Sequence, residues 1–139
     1  MSKEIIATVL EMYPAIGFQK LLGIKVIEAS PGGDQVKVFL PYRDDLAGGG
    51  DAYHGGVISS LIDLTGALAV WVGHDPKKGV RASTVSLNVN FISAARGVPV
   101  IATGRVVKRG RDLNFSEIVI EDEQEKKIAT GSIVYRIVD

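Results

Sequence analysis

The sequence predicts an α+β domain in which an antiparallel sheet curls around one buried helix. Val57, Ile58, Leu61, Leu64, Ala67, Leu68 and Trp71 recur at helical spacing in a stretch that is apolar nearly all round, and a helix of that kind is enclosed rather than half solvated. Four long segments rich in β-branched residues follow it and two shorter ones precede it, so strands lie on both sides of one helix in the chain. That order implies an antiparallel sheet wrapped around the helix.

Each element follows from local pattern. Between Lys3 and Met12, the apolar positions Ile5, Ile6, Val9 and Leu10 predict a short amphipathic helix, with Ser2 as its N-cap and Pro14 ending it. "IKVIEAS" and "QVKVFLP" read as strands, and the turn residues Pro31 to Asp34 between them make a hairpin. A polar, glycine-rich loop spans Tyr42 to Tyr53. The central helix then runs for about 17 residues, with Gly73 placed to end it. "RASTVSLNVNFISAA", "PVIATGRVVKRG", "LNFSEIVIED" and "KIATGSIVYRIV" complete the set as strands. In the first of these, Val85, Leu87, Val89 and Phe91 alternate with Thr84, Ser86, Asn88 and Asn90, which predicts one core face and one polar face. No repeat or linker divides residues 1–139, so one domain is expected.

Composition narrows the function. A chain of 139 residues buries enough apolar surface to fold without disulfides or metal. Sixteen acidic and sixteen basic side chains balance, so no overall field attracts nucleic acid or an anionic membrane. There is no cysteine, which removes thiol nucleophiles and thiolate metal sites. The two histidines, His54 and His74, are twenty positions apart, too few and too separated for the usual zinc sets, and no metal is expected. The N-terminal segment is too polar for a signal peptide or a membrane span, which points to the cytoplasm.

The chemistry concentrates in "GGGDAYHGGVISSLIDLTGALAV". Gly55 and Gly56 turn the backbone sharply ahead of the helix and leave its first N–H groups uncovered. His-Gly-Gly is then either a tight turn alone or a site for an oxyanion or polarised carbonyl at the positive end of the helix dipole. Asp63 lies within the apolar helix, where a carboxylate is costly unless paired or poised for chemistry. No basic residue except His54 stands between Asp51 and Val72, so no ordinary ion pair one turn away accounts for it. It either faces solvent, bonds Ser59, Ser60 or Thr65, or works as an acid or base. The stretch lacks the Gly-Lys-Ser/Thr ending of a phosphate-binding loop, and Ser59 and Ser60 lack the glycines of a nucleophile elbow. His74, beside "DPKKG", reads as a solvated loop residue.

"HGGVISSLIDLTGALAV", with "STVSLNVNFISAARGVPVIATGRVVKRGR" and "EDEQEKKIATGSIVYRI", resembles the hotdog-fold acyl-CoA thioesterases of the phenylacetic-acid-degradation (PaaI-like) group, over residues 22 to 135. The resemblance implies a curved antiparallel sheet around the central helix, assembled as a homodimer or as a homotetramer built from two dimers. It implies hydrolysis of an acyl-CoA thioester. Gly55 then offers its backbone N–H to the thioester carbonyl, Asp63 acts as general base or nucleophile, and His54 fixes the loop. Thr84, with Ser83 beside it, matches the hydroxyl that orients water. Coenzyme A enters as part of the substrate, with no separate cofactor. Lys108, Arg109 and Arg111 either anchor its phosphates or simply end a strand in charge. Where the family often carries asparagine six residues before the histidine, this chain has Gly48. A non-catalytic acyl-CoA sensor is the alternative from another class. Helix geometry adds one constraint: eight residues separate Gly55 from Asp63 by about 12 Å along the axis and about 80° around it. If both act on one thioester, they come from different subunits.

Overall fold

The computed structural model describes residues 3–30 and 32–139. Ser2 and Pro31, expected as a cap and a turn residue, lie outside the described residues. The elements run α1 (Lys3–Met12), α2 (Gly17–Leu22), β1 (Lys25–Ala29), β2 (Gln35–Leu40), β3 (Ala47–Gly49), β4 (Ala52–Tyr53), α3 (Gly55–Gly73), β5 (Arg81–Phe91), β6 (Val100–Arg109), β7 (Leu113–Asp122) and β8 (Lys127–Val138). Two features go beyond the sequence reading. The short helix α2 ends at Gly23 in the left-handed conformation, and the polar loop folds into the β3–β4 ribbon.

The main sheet has the order β1-β2-β6-β7-β8-β5, and every neighbouring pair is antiparallel. Helix α3 lies on its concave face, packed chiefly on β6, β7 and β8. Val36, Val38 and Leu40 of β2, Val100 and Ala102 of β6, Ile118 and Ile120 of β7, and Ile133 of β8 point at it and are buried. From the helix come Leu61, Ile62, Leu68, Val70 and Val72, all fully buried. Burying one such side chain is worth about 1.5–3 kcal/mol, so this layer supplies most of the apolar driving force. The approach is close at Gly66, where an added Cβ would stand 2.8 Å from the Ile133 side chain. Helix α3 is long and apolar enough to cross a bilayer by length and composition, but the fold buries most of it. Ile6, Val9 and Leu10 of α1 close the remaining side of the core.

The expectation of a core face on β5 holds only at Val89, which is partly buried against the core. Val85, Leu87 and Phe91 are exposed, because β5 is an edge strand beyond the main footprint of α3. Its alternation leaves an apolar row uncovered. The other edge, β1, is five residues long with a bulge at Ile27, a form that discourages further pairing.

Two buried phenols brace the layers. Tyr13 donates to the Leu64 carbonyl at 2.7 Å and Tyr53 to the Val98 carbonyl at 2.8 Å. Burial raises both, Tyr53 to about 12 and Tyr13 further. Unfolded tyrosine ionises near pH 10, so the stability these phenols contribute is complete below that value and is lost as pH climbs through the folded values. The urea midpoint is expected to fall between about pH 10 and pH 12, and Tyr53→Phe should reduce that fall.

Candidate active site

The start of α3 is shaped by His54. It sits at the N-cap, where its Nδ1 accepts the Gly56 N–H at 2.8 Å and its backbone N–H donates to Leu46 O at 2.9 Å. The residue therefore ties the segment entering β3 to the helix through its backbone, while its ring is engaged as an acceptor through Nδ1. Gly55, the first helical residue, leaves its N–H without an acceptor among the described residues, as the first turn of a helix does. Its α-carbon faces Phe91, whose ring would lie 3.5 Å from an added Cβ. Gly55, Tyr53, Ile58, Phe91 and Ile128 border a mostly apolar cavity of about 340 Å³.

Gly48 explains itself sterically. A Cβ there would fall 2.9 Å from the His54 α-carbon and 3.2 Å from its ring. With β3 packed this closely on the cap, an asparagine does not fit without displacing His54.

Asp63 opens elsewhere. It is half-buried and lines a separate cavity of about 230 Å³ with Tyr13, Gln19, Ser60, Thr84 and Tyr135. The solvent, Ser59, Ser60 and Thr65 alternatives give way to a different partner: Thr84 donates its hydroxyl to Asp63 Oδ1 at 2.7 Å. Thr84 faces Tyr135 in the β5–β8 ladder, immediately before the register shifts at Val85, and such bulges re-aim side chains. Ser83 borders the same cavity. The hydroxyl expected to orient water instead holds one carboxylate oxygen and leaves the other without a protein donor among the described residues. Tyr135 accepts a hydrogen bond from Trp71 Nε1 at 3.0 Å. Burial raises the phenols of Tyr13 and Tyr135, and the Asp63 carboxylate adds to both shifts, so each hydroxyl stays protonated beside it.

The basic stretch divides. Arg109 donates to Val70 O and Gly33 O at 3.0 Å and to Ala69 O at 3.4 Å, across Gly73, where any side chain would collide with the guanidinium. Burial lowers its pKa while Asp34 opposes the shift. Its two terminal nitrogens are engaged by carbonyls of α3 and of Gly33, the alternative to a phosphate contact that the sequence left open. Arg111 lines a small cleft of about 90 Å³ with Arg109, Lys78 and Asn114, and Lys108 is exposed. His74 is also corrected: it is buried, its Nε2 2.8 Å from Gly79 O. No group of three His, Asp or Glu side chains among the described residues could hold a metal.

Tyr13, Gln19 and Tyr135 were not singled out from the sequence. They reach Asp63 from α1's end, α2 and β8, and nothing in their local pattern signals that convergence.

A model of the thioesterase superfamily matches residues 51–129, from the ribbon to β8. The chain belongs to the thioesterase superfamily. A protein of Halobacterium salinarum described as a candidate esterase is 31% identical over 131 residues, covering 87% of this chain and 84% of that one. One from Saccharolobus solfataricus, described in the same way, is 33% identical over 107 residues, covering 77% and 73%. Among solved structures, a thioesterase of Haemophilus influenzae superposes with a TM-score of 0.85 at 19% identity, covering 96% of this chain and 90% of that one. The PaaI protein of the E. coli phenylacetic acid degradation operon does so with 0.81 at 22%, covering 97% and 96%. These structures share the hotdog fold, a six-stranded antiparallel sheet around the long helix. Superfamily membership places the protein among hydrolases of esters and thioesters.

Two stability measurements separate the cap from the pin. In this thioesterase-superfamily chain His54→Ala should cost about 1 kcal/mol through the lost cap. Arg109→Met, which strands carbonyls at the helix end, should cost about 2 kcal/mol, while Arg111→Ala leaves the urea midpoint unchanged.

Proposed function

We propose that the protein hydrolyses acyl-CoA thioesters at a site shared by two protomers, with Asp63 of one and Gly55 of the other. The observation that carries this reading is the separation of the two groups: Asp63 and Gly55 open into different cavities on one protomer. Ser83 and Thr84, near one end of β5, border the first, and Phe91, at the other end, borders the second. Antiparallel pairing of β5 with the β5 of a second copy sets the start of one strand beside the end of the other. Each Asp63 cavity then meets the partner's Gly55 cavity. The exposed row of Val85, Leu87 and Phe91 gives such pairing an apolar surface to cover. Two-fold symmetry makes two equal sites, and a dimer of these dimers gives the homotetramer.

The chemistry follows from the groups. Gly55 N–H, at the positive end of α3, polarises the thioester carbonyl and holds the oxyanion that forms. Asp63, fixed through Oδ1 by Thr84, takes a proton from water, whose oxygen attacks the carbonyl carbon. Collapse of the tetrahedral intermediate breaks the carbon–sulfur bond and releases coenzyme A as thiolate. Direct attack by Asp63, giving a mixed anhydride that water cleaves, uses the same geometry. His54 sets the backbone that presents Gly55. Lys108 and Arg111 are the cations left to meet phosphates, with Arg109 pinned to the helix.

Asp63→Asn is expected to keep the fold and lose at least about a hundredfold in kcat, measured as thiol release across an acyl-CoA panel. Wild-type turnover by the folded variant contradicts the assignment, and tight acyl-CoA binding without turnover by the wild type supports the sensor alternative. Arg111→Ala should raise KM more for coenzyme A esters than for esters of a truncated thiol. Complementation tests the sharing. Gly55→Pro lacks the donor N–H yet suits the first helical position, since His54 has ψ 139°, compatible with a following proline. Reassembled at random with Asp63→Ala, also inactive alone, it should restore about a quarter of wild-type activity, because half the dimers are mixed and half their sites are intact. Mixed dimers without activity would refute the shared site.

A further inference from the structure

A second hollow adjoins the Asp63 cavity. It holds about 260 Å³ and is lined by Val9, Met12, Tyr13, Ile16 and Trp71, so Tyr13 borders both spaces. The polar groups of its aromatic wall are turned elsewhere. The Tyr13 hydroxyl donates to Leu64 O at 2.7 Å, and the Trp71 N–H donates to the Tyr135 hydroxyl at 3.0 Å. Ring faces and aliphatic carbon remain. A ligand that needs hydrogen bonds loses its water there without replacement, whereas a hydrocarbon loses nothing. At the rim, Met12 and Ile16 are 60% and 51% exposed, apolar surface that a bound chain would cover.

Direction and length agree with this. Trp71 follows Asp63 by eight residues on α3, about two turns and about 12 Å along the axis. Eight residues also turn about 80° around the helix, and Tyr13, which borders both spaces, bridges that turn, so an acyl group on a carbonyl beside Asp63 reaches Trp71 past Tyr13 over the length of a medium chain. We propose that this hollow binds the acyl group and that the preferred substrates carry medium-chain, linear hydrocarbon acyl groups. The proposal rests on Asp63 as the reacting carboxylate of the hydrolase reading, and its test is independent of turnover.

Trp71 is the single tryptophan of the chain, so its emission reports on the hollow. S-octyl-CoA, a thioether that cannot be hydrolysed, should shift that emission to shorter wavelength and saturate. S-methyl-CoA should leave it unshifted. The double variant Met12→Gln, Ile16→Gln alters two exposed positions and should fold normally, yet weaken S-octyl-CoA by about tenfold, with the affinity for S-methyl-CoA, measured by titration calorimetry, unchanged. Equal emission responses to the two thioethers, or wild-type S-octyl-CoA affinity in the double variant, overturn the proposal. So does a drop in sedimentation mass of the double variant with its S-octyl-CoA response intact, which makes the hollow a contact between copies. A chain-length-dependent Trp71 response in a protein that hydrolyses no acyl-CoA keeps the hollow and removes the hydrolase reading. Hydrolysis that depends on Asp63, with Trp71 indifferent to chain length, does the reverse.

Discussion

The organisation of the molecule depends on the rigidity of α3. The helix is enclosed by the sheet on one side and α1 on the other, and both ends are tied. His54 caps the first turn through Gly56 N–H, and Arg109 holds the last carbonyls. A helix fixed in this way cannot bend its first N–H toward a carboxylate eight residues later. The spacing of about 12 Å is a property of the backbone, and the two cavities on one protomer follow from it. A site that uses both groups needs a second copy of the chain, and the long uncovered strand β5 has the apolar row to receive one.

A half-buried carboxylate on a helix of this composition is sustained by its surroundings. Leu61, Ile62 and Leu68 supply far more through burial than Asp63 costs, so the helix forms despite it. Thr84 satisfies one oxygen, while the neutral phenols of Tyr13 and Tyr135 bring polar groups nearby without a second charge. No cation compensates Asp63 by direct ion pairing among the described residues. A carboxylate left with an unengaged oxygen in a cavity suits proton transfer better than it suits structural pairing.

The sequence carried the fold class because the signals were local. An apolar run at helical spacing and β-branched segments bounded by glycine and charge specify α3 and the hairpins, and His54, Gly55 and Asp63 stand out in an otherwise bland stretch. What it could not carry was position within the sheet. Val85, Leu87 and Phe91 alternate as a core strand does, and an edge strand awaiting another chain alternates in the same way. Arg109 was open for a related reason: a basic residue near a strand end can point to solvent or back to a helix terminus, and the approach of Gly33 and Gly73 turns it to the helix. His74 lay in a polar stretch whose fold brought its ring to Gly79. Tyr13 and Tyr135 come from opposite ends of the chain, so their meeting around Asp63 is set by topology alone.

On the proposed reading, hydrolysis requires two protomers joined along β5. Leu87→Lys tests it most directly, since Leu87 is exposed in the middle of β5 and a lysine on an edge strand opposes pairing. Sedimentation mass and acyl-CoA turnover are to be measured on the same sample. Folded monomers that have lost turnover are expected, with Gly55, His54, Asp63 and Thr84 all present. A folded monomer hydrolysing acyl-CoA at the wild-type rate would contradict the proposed reading.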